Sequence, residues 1–123
     1  MQEGFYKSRV ADAAFTGCQL VAYGALTMHA APASDPTKPI MGVSDRLAVA
    51  PSQFVDVQMT QIADIVAGGN IAYGDRLTTD ANGHAVKAVK QAGVTVFTAG
   101  YAQSDAVQGD IFPILIVLDA IDG

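Results

Sequence analysis

The stretch Gly68-Gly69-Asn70-Ile71-Ala72-Tyr73-Gly74-Asp75-Arg76-Leu77-Thr78-Thr79-Asp80-Ala81-Asn82-Gly83-His84-Ala85-Val86-Lys87-Ala88 decides the fold. Asn82-Gly83 is the strongest short hairpin signal, because a tight turn between twisted strands needs residues that tolerate positive φ. Leu77 and Thr79 before it, and His84 and Val86 after it, supply two short strands. Gly74-Asp75 marks a second turn, and Ala67-Gly68-Gly69-Asn70 a third. Upstream, Val55, Val57 and Met59 alternate with Asp56, Gln58 and Thr60, the period of a half-buried strand, and Ile62 to Val66 continues the pattern after a turn or bulge. Downstream, Val94 to Thr98 and Ile111 to Leu118 read as strands separated by a polar loop that ends at Gly109-Asp110. The Ile111–Leu118 run does not alternate, which predicts a strand buried on both faces.

The first third is less regular. Phe5, Val10, Ala14 and Gly17 show no helical stripe, and Cys18 to Thr27 is apolar but broken by Gly24, so an extended arm leading into a first strand is expected. Pro32, Pro36 and Pro39 fix φ, remove donors and make residues 31–39 a loop. Ile40 to Val43 reads as a strand, and Ser44 to Phe54 has room for one helical turn at Asp45-Arg46-Leu47. About seven short strands joined by turns predict a mainly β fold. That fold is a small single-domain β-barrel or sandwich with an extended N-terminal arm. Residues 1–30 are the arm and first strand, and residues 31–123 the β-rich core.

Composition narrows the function. The 123 residues are half apolar and carry 7 basic against 12 acidic side chains, a net charge of −5. Such a chain buries a real core and has no basic footprint for nucleic acid. The start of the chain lacks a basic segment followed by an apolar run, and the longest apolar stretch is too short to span a membrane, so cytoplasmic synthesis is expected. Glu3 is the single glutamate beside eleven aspartates, which suits turns and caps. The 21 alanines and 12 glycines each bury little surface and hint at stability gained through assembly.

Candidate chemistry is sparse. Cys18 has no activating cation nearby in sequence and reads as a small buried hydrophobe rather than a nucleophile. His29 and His84 lack the further ligands that a metal site needs. Asp80-Ala81-Asn82-Gly83 supplies only the tail of a calcium loop, and no phosphate-binding glycine motif or G-x-S-x-G elbow is present. No cofactor, no metal and no enzymatic activity are expected.

Ile40-Met41-Gly42-Val43, Phe54-Val55-Asp56-Val57, the Gly68–Ala88 stretch, Gly100-Tyr101-Ala102 and Gly109-Asp110-Ile111 together resemble the capsid cement, or decoration, proteins of tailed phages. The resembled pattern is an I-G-V strand, a V-x-V strand, a G-D-x-L-x-x-D-A-x-G-x-A-V-x-A hairpin and two further glycine-led strands. It spans roughly residues 40 to 118. The resemblance implies a β-tulip-like structural protein on the capsid exterior of a virion, bound to the major capsid protein as homotrimers at three-fold and quasi-three-fold positions. It implies no nucleic-acid or membrane partner. Phe5, Tyr6, Lys7, Arg9, Phe15 and Lys38, from the arm and the proline loop, are the expected capsid or subunit contacts. The alternative is a small-ligand or carbohydrate-binding β-barrel module anchored by Tyr6, Tyr23, Tyr73 and Tyr101.

Overall fold

A computed structural model describes residues 6–123, which form ten strands and no helix. They are β1 (Tyr6–Ala11), β2 (Leu20–Tyr23), β3 (His29–Pro32), β4 (Ile40–Ser44), β5 (Phe54–Gln58), β6 (Ile62–Val66), β7 (Arg76–Thr79), β8 (Ala85–Lys87), β9 (Val96–Ala102) and β10 (Ile111–Ile121). The first five close into a barrel of order β1-β3-β2-β4-β5, and the last five make a sheet of order β6-β10-β9-β7-β8. That sheet curls: Ala67, just past β6, bridges to Ala85 of β8, and the Gly68 N–H donates to the Ala85 carbonyl at 2.8 Å.

The barrel takes in the stretch expected as an extended arm leading into a first strand. Tyr6 to Val10 pair antiparallel with Phe54 to Gln58, while Val10 and Ala11 pair parallel with His29 and Ala30. A strand flanked on both sides by backbone partners is integral to the barrel, and β3 runs straight through the expected 30/31 boundary. Residues 1–5 of the expected arm lie outside the described residues. The expected helical turn at Asp45-Arg46-Leu47 is also replaced. There the Asp45 carboxylate accepts the Leu47 N–H at 3.0 Å, a local side-chain bond that competes with helix formation.

Two clusters fill the interior. Ala11, Phe15, Val21, Ala30, Met41, Val55 and Val57 pack inside the barrel. The larger cluster lies between barrel and sheet, where Leu20, Ile40 and Val43 meet Ile65, Leu77, Ile114 and their neighbours. Each fully buried aliphatic side chain there contributes roughly 1.5–3 kcal/mol of transfer free energy. β4 is buried at all five positions, because one face looks into the barrel and the other onto the sheet. β10 was the strand expected to be buried on both faces, yet only its inner set (Phe112, Ile114, Ile116) is buried. It lies in the outer layer, with none of the described residues stacked beyond it.

The Asn82-Gly83 hairpin forms as expected, with Thr79 opposite Ala85. The Asp80 carboxylate closes it by accepting the Asn82 and His84 N–H groups at 2.8 and 3.0 Å. Gly83 sits at φ 77°, the left-handed region, and its Cα packs against the Leu20 carbonyl and Gln19, where an added Cβ would press on both. The turn therefore docks on the barrel. The Leu20 N–H donates to the Gly83 carbonyl at 2.7 Å, and Gln19 Nε2 donates to the Asn82 carbonyl at 2.8 Å. Gln19 is buried, and its Oε1 accepts the Thr16 N–H at 2.8 Å. This glutamine latches the second sheet to the first.

Candidate functional site

The β2–β3 hairpin offers the most distinctive exposed surface on the barrel. Its tip displays Leu26 and Met28, 67% and 56% exposed, with Tyr23 at its base. A loop that shows apolar side chains to water needs something to hold it, and Asp12 does so. Asp12 Oδ2 accepts the Ala25 N–H at 2.8 Å, while Oδ1 lies 2.6 Å from His29 Nδ1. These bonds, the Ala25 N–H first and the His29 ring second, hold the Asp12 carboxyl below the usual carboxylate range. The Val10 N–H donates to the Met28 carbonyl at 2.9 Å, so the tip is tied to β1 as well. Met28 adopts φ 68°, the left-handed turn that returns the chain into β3.

Beside this hairpin lies a groove of about 540 Å³ walled by Ala22, Tyr23, Pro32 and Pro39, with Asp35 and Lys38 at its polar margin. Of the three prolines expected to make residues 31–39 a loop, Pro32 ends β3 instead, and it forms an apolar wall with Pro39. Thr37 donates its hydroxyl to Asp35 Oδ1 at 2.6 Å and its N–H at 2.9 Å, which lowers the Asp35 pKa and keeps that carboxylate turned into its own loop. The lining can hold an apolar or ring-shaped group against Tyr23 and the prolines.

The expected contact residues fall on different elements. Phe5 lies outside the described residues, and Tyr6 contributes its backbone to β1. Lys7 is exposed on the same strand, and Arg9 is half-buried, its guanidinium donating to the Ser8 carbonyl. Lys38 is exposed on the β3–β4 loop, at the groove margin. Phe15 is only 1% exposed and bridges Val49 inside the barrel, so it is a core residue and not a contact residue. Of the tyrosines proposed as ligand anchors, Tyr23 lines the groove, whereas Tyr73 and Tyr101 stand exposed on the second sheet and its loops. Leu26 and Met28 escaped the sequence reading because an apolar run in a barrel protein looks the same whether it points in or out.

Cys18 is buried, and burial pushes its thiol pKa up, an unreactive state for a nucleophile. Among the described residues no group of three His, Cys, Asp or Glu side chains converges to hold a metal ion.

No protein-family model matches the chain, and no curated protein matches it. Among solved structures, the N base of head fiber gp8.5 in bacteriophage phi29 superposes with a TM-score of 0.73 at 21% identity, covering 97% of this chain and 98% of that one. The two proteins share a fold. The correspondence covers nearly the whole of both chains. At that identity what is shared is the architecture rather than particular side chains.

Proposed function

We propose that this protein is a structural component of a phage head, a decoration protein that binds the capsid exterior and stabilises the shell. One observation carries this reading: the whole two-sheet fold, not a fragment of it, matches the N base of a phage head fiber. The resemblance of the Gly68–Ala88 hairpin to cement proteins supports it independently. In this reading the protein is non-enzymatic, assembles as a homotrimer at three-fold and quasi-three-fold positions, and contacts the major capsid protein. Several modest contacts per trimer, made simultaneously, keep dissociation rare. The acidic net charge suits a position outside the packaged DNA. The clamped β2–β3 tip, with Leu26 and Met28 displayed and Lys38 nearby in sequence on the next loop, is the attachment element.

The test is direct. Purified protein is mixed with undecorated heads, and the particles are imaged with imposed and relaxed symmetry. The expected result is added density at symmetry-related external positions, reduced by Met28→Asp. Bare shells after incubation at saturating protein would refute the reading.

The groove beside Tyr23 favours one second reading, a small-ligand or carbohydrate-binding module. A thermal-shift screen of mono- and oligosaccharides checks it, because a ligand bound only to the folded state raises the midpoint by mass action.

A further inference from the structure

The outer face of the curled sheet carries an apolar row that the described residues leave open. Along β10, Ile111 and Leu115 are 55% and 37% exposed, in alternation with the buried Phe112, Ile114 and Ile116, before the register shifts past Ile116. The strand register sets Leu115 directly opposite Ile62 of β6 on one side and Tyr101 of β9 on the other. Ile62 is 46% exposed and Tyr101 37%. Side chains opposite one another on adjacent strands lie about 5 Å apart, so the row Ile62–Leu115–Tyr101 is continuous across three strands. Together with Ile111 it exposes roughly 300 Å² in one band, within the range of the largest apolar patch on a monomer and often functional.

Two ion pairs flank this band. Arg76, opposite Tyr101 on β7, pairs with Asp119 at 3.2 Å. On the other flank Asp64, opposite Pro113, pairs with Arg46. A chain with a net charge of −5 repels its own copies wherever unpaired carboxylates face each other. Beside this band the two pairs cancel locally, so a second acidic copy can approach it with less of that penalty. A stable interface needs about 800 Å² from each partner with an apolar centre and a polar rim, and this band with its paired-ion flanks has both parts and more than about a third of the area in its centre alone.

We propose that the outer face of the β6-β10-β9 sheet, centred on Leu115, is the surface through which one copy of this chain binds another. The proposal rests on the assembled form put forward under the proposed function and names the surface that makes it. In a three-fold ring the contact is head-to-tail, so this face meets a different surface of the neighbouring copy. The barrel side, with its displayed hairpin, is left free for the shell.

The experiment measures mass in solution by light scattering and sedimentation across a concentration series, for the intact chain and for Leu115→Arg, Ile62→Lys and Leu115→Met. Both positions are surface sites, so circular dichroism should be unchanged, and two charged variants guard against one failing to fold. The expected result is an oligomer of the 12.7 kDa chain whose dissociation constant rises at least about a hundredfold with either charge, the cost of burying an unpaired ion, and stays near the original with Leu115→Met. A monomeric intact chain overturns the proposal, as does an oligomer that persists in both charged variants. Loss of head binding with the oligomer intact also overturns it, since the face then meets the shell. A dimer abolished by the charged variants upholds the surface and removes the three-fold assignment. Head binding by the monomeric variants upholds it as well and leaves the decoration reading standing.

Discussion

Replacing Gln19 by methionine isolates the latch between barrel and sheet. Methionine keeps the length and much of the volume of glutamine, so little cavity is created. What is removed is the Oε1 acceptor for the Thr16 N–H and the Nε2 donor to the Asn82 carbonyl, each bond 2.8 Å long. Both partners are backbone groups in a partly buried setting, and each orphaned group costs about 1–2 kcal/mol, the lower part of the general range. The gain from burying a thioether in place of an amide offsets about 1 kcal/mol of that on the transfer scale. The net loss is about 1–3 kcal/mol, a substantial share of the 5–15 kcal/mol typical of a whole domain. For 123 residues the unfolding entropy is about 0.26 kcal/mol/K, which converts this loss to a fall of roughly 4–12 °C in Tm. Differential scanning calorimetry measures it. Amide exchange at Leu20, whose N–H donates to the Gly83 carbonyl, should quicken more than exchange deep in the barrel. A Tm within about 2 °C of the original, with Leu20 exchange unchanged, would refute the latch and mean that water satisfies those groups instead.

Phe15→Ala should cost about 3–5 kcal/mol, the usual range for emptying a buried aromatic site, read as a lower guanidinium midpoint at unchanged slope; a surface contact residue would shift it little. Gly42→Ala should destabilise strongly, because a Cβ there would stand 2.2 Å from the Gln58 carbonyl oxygen, whereas Gly69→Ala, with nothing within 4 Å, should stay within about 1 kcal/mol of the original. Similar midpoints for the two alanine variants would remove the close approach of β4 and β5. Asp12 has a folded pKa below its unfolded value, so its contribution is present above about pH 4 and is lost as pH falls through the folded pKa. Thermal midpoints followed through that acidic window should fall less steeply for Asp12→Asn than for the intact chain, and parallel curves would show that the hairpin clamp does not contribute.

The legible parts of the sequence were those whose cause is local. Asn82-Gly83 and the Asp80 that caps it dictate a hairpin whatever surrounds them, and the strict alternation at Val55 and Val57 gives a strand with one buried face. The proline loop was legible as a chain break, although its role as the wall of a groove was not. Asp45-Arg46-Leu47 misled because helical propensity is weak over three residues and a single Asx bond outcompetes it. Phe15 misled for a different reason. An isolated aromatic residue in an irregular segment carries no periodicity, so nothing local distinguishes a contact from a core residue.

The sequence by itself determined the β class, most of the strand positions, the turns between them and the acidic surface, because propensity, alternation and turn chemistry act within a few residues. Only the tertiary structure decided which strands pair. It drew β1 into the barrel between β3 and β5, buried β4 on both faces and left β10 with one face bare. An apolar run records only that its side chains avoid water somewhere. Whether a second layer, another copy or nothing covers it depends on contacts between residues far apart in the chain, and no local pattern encodes those.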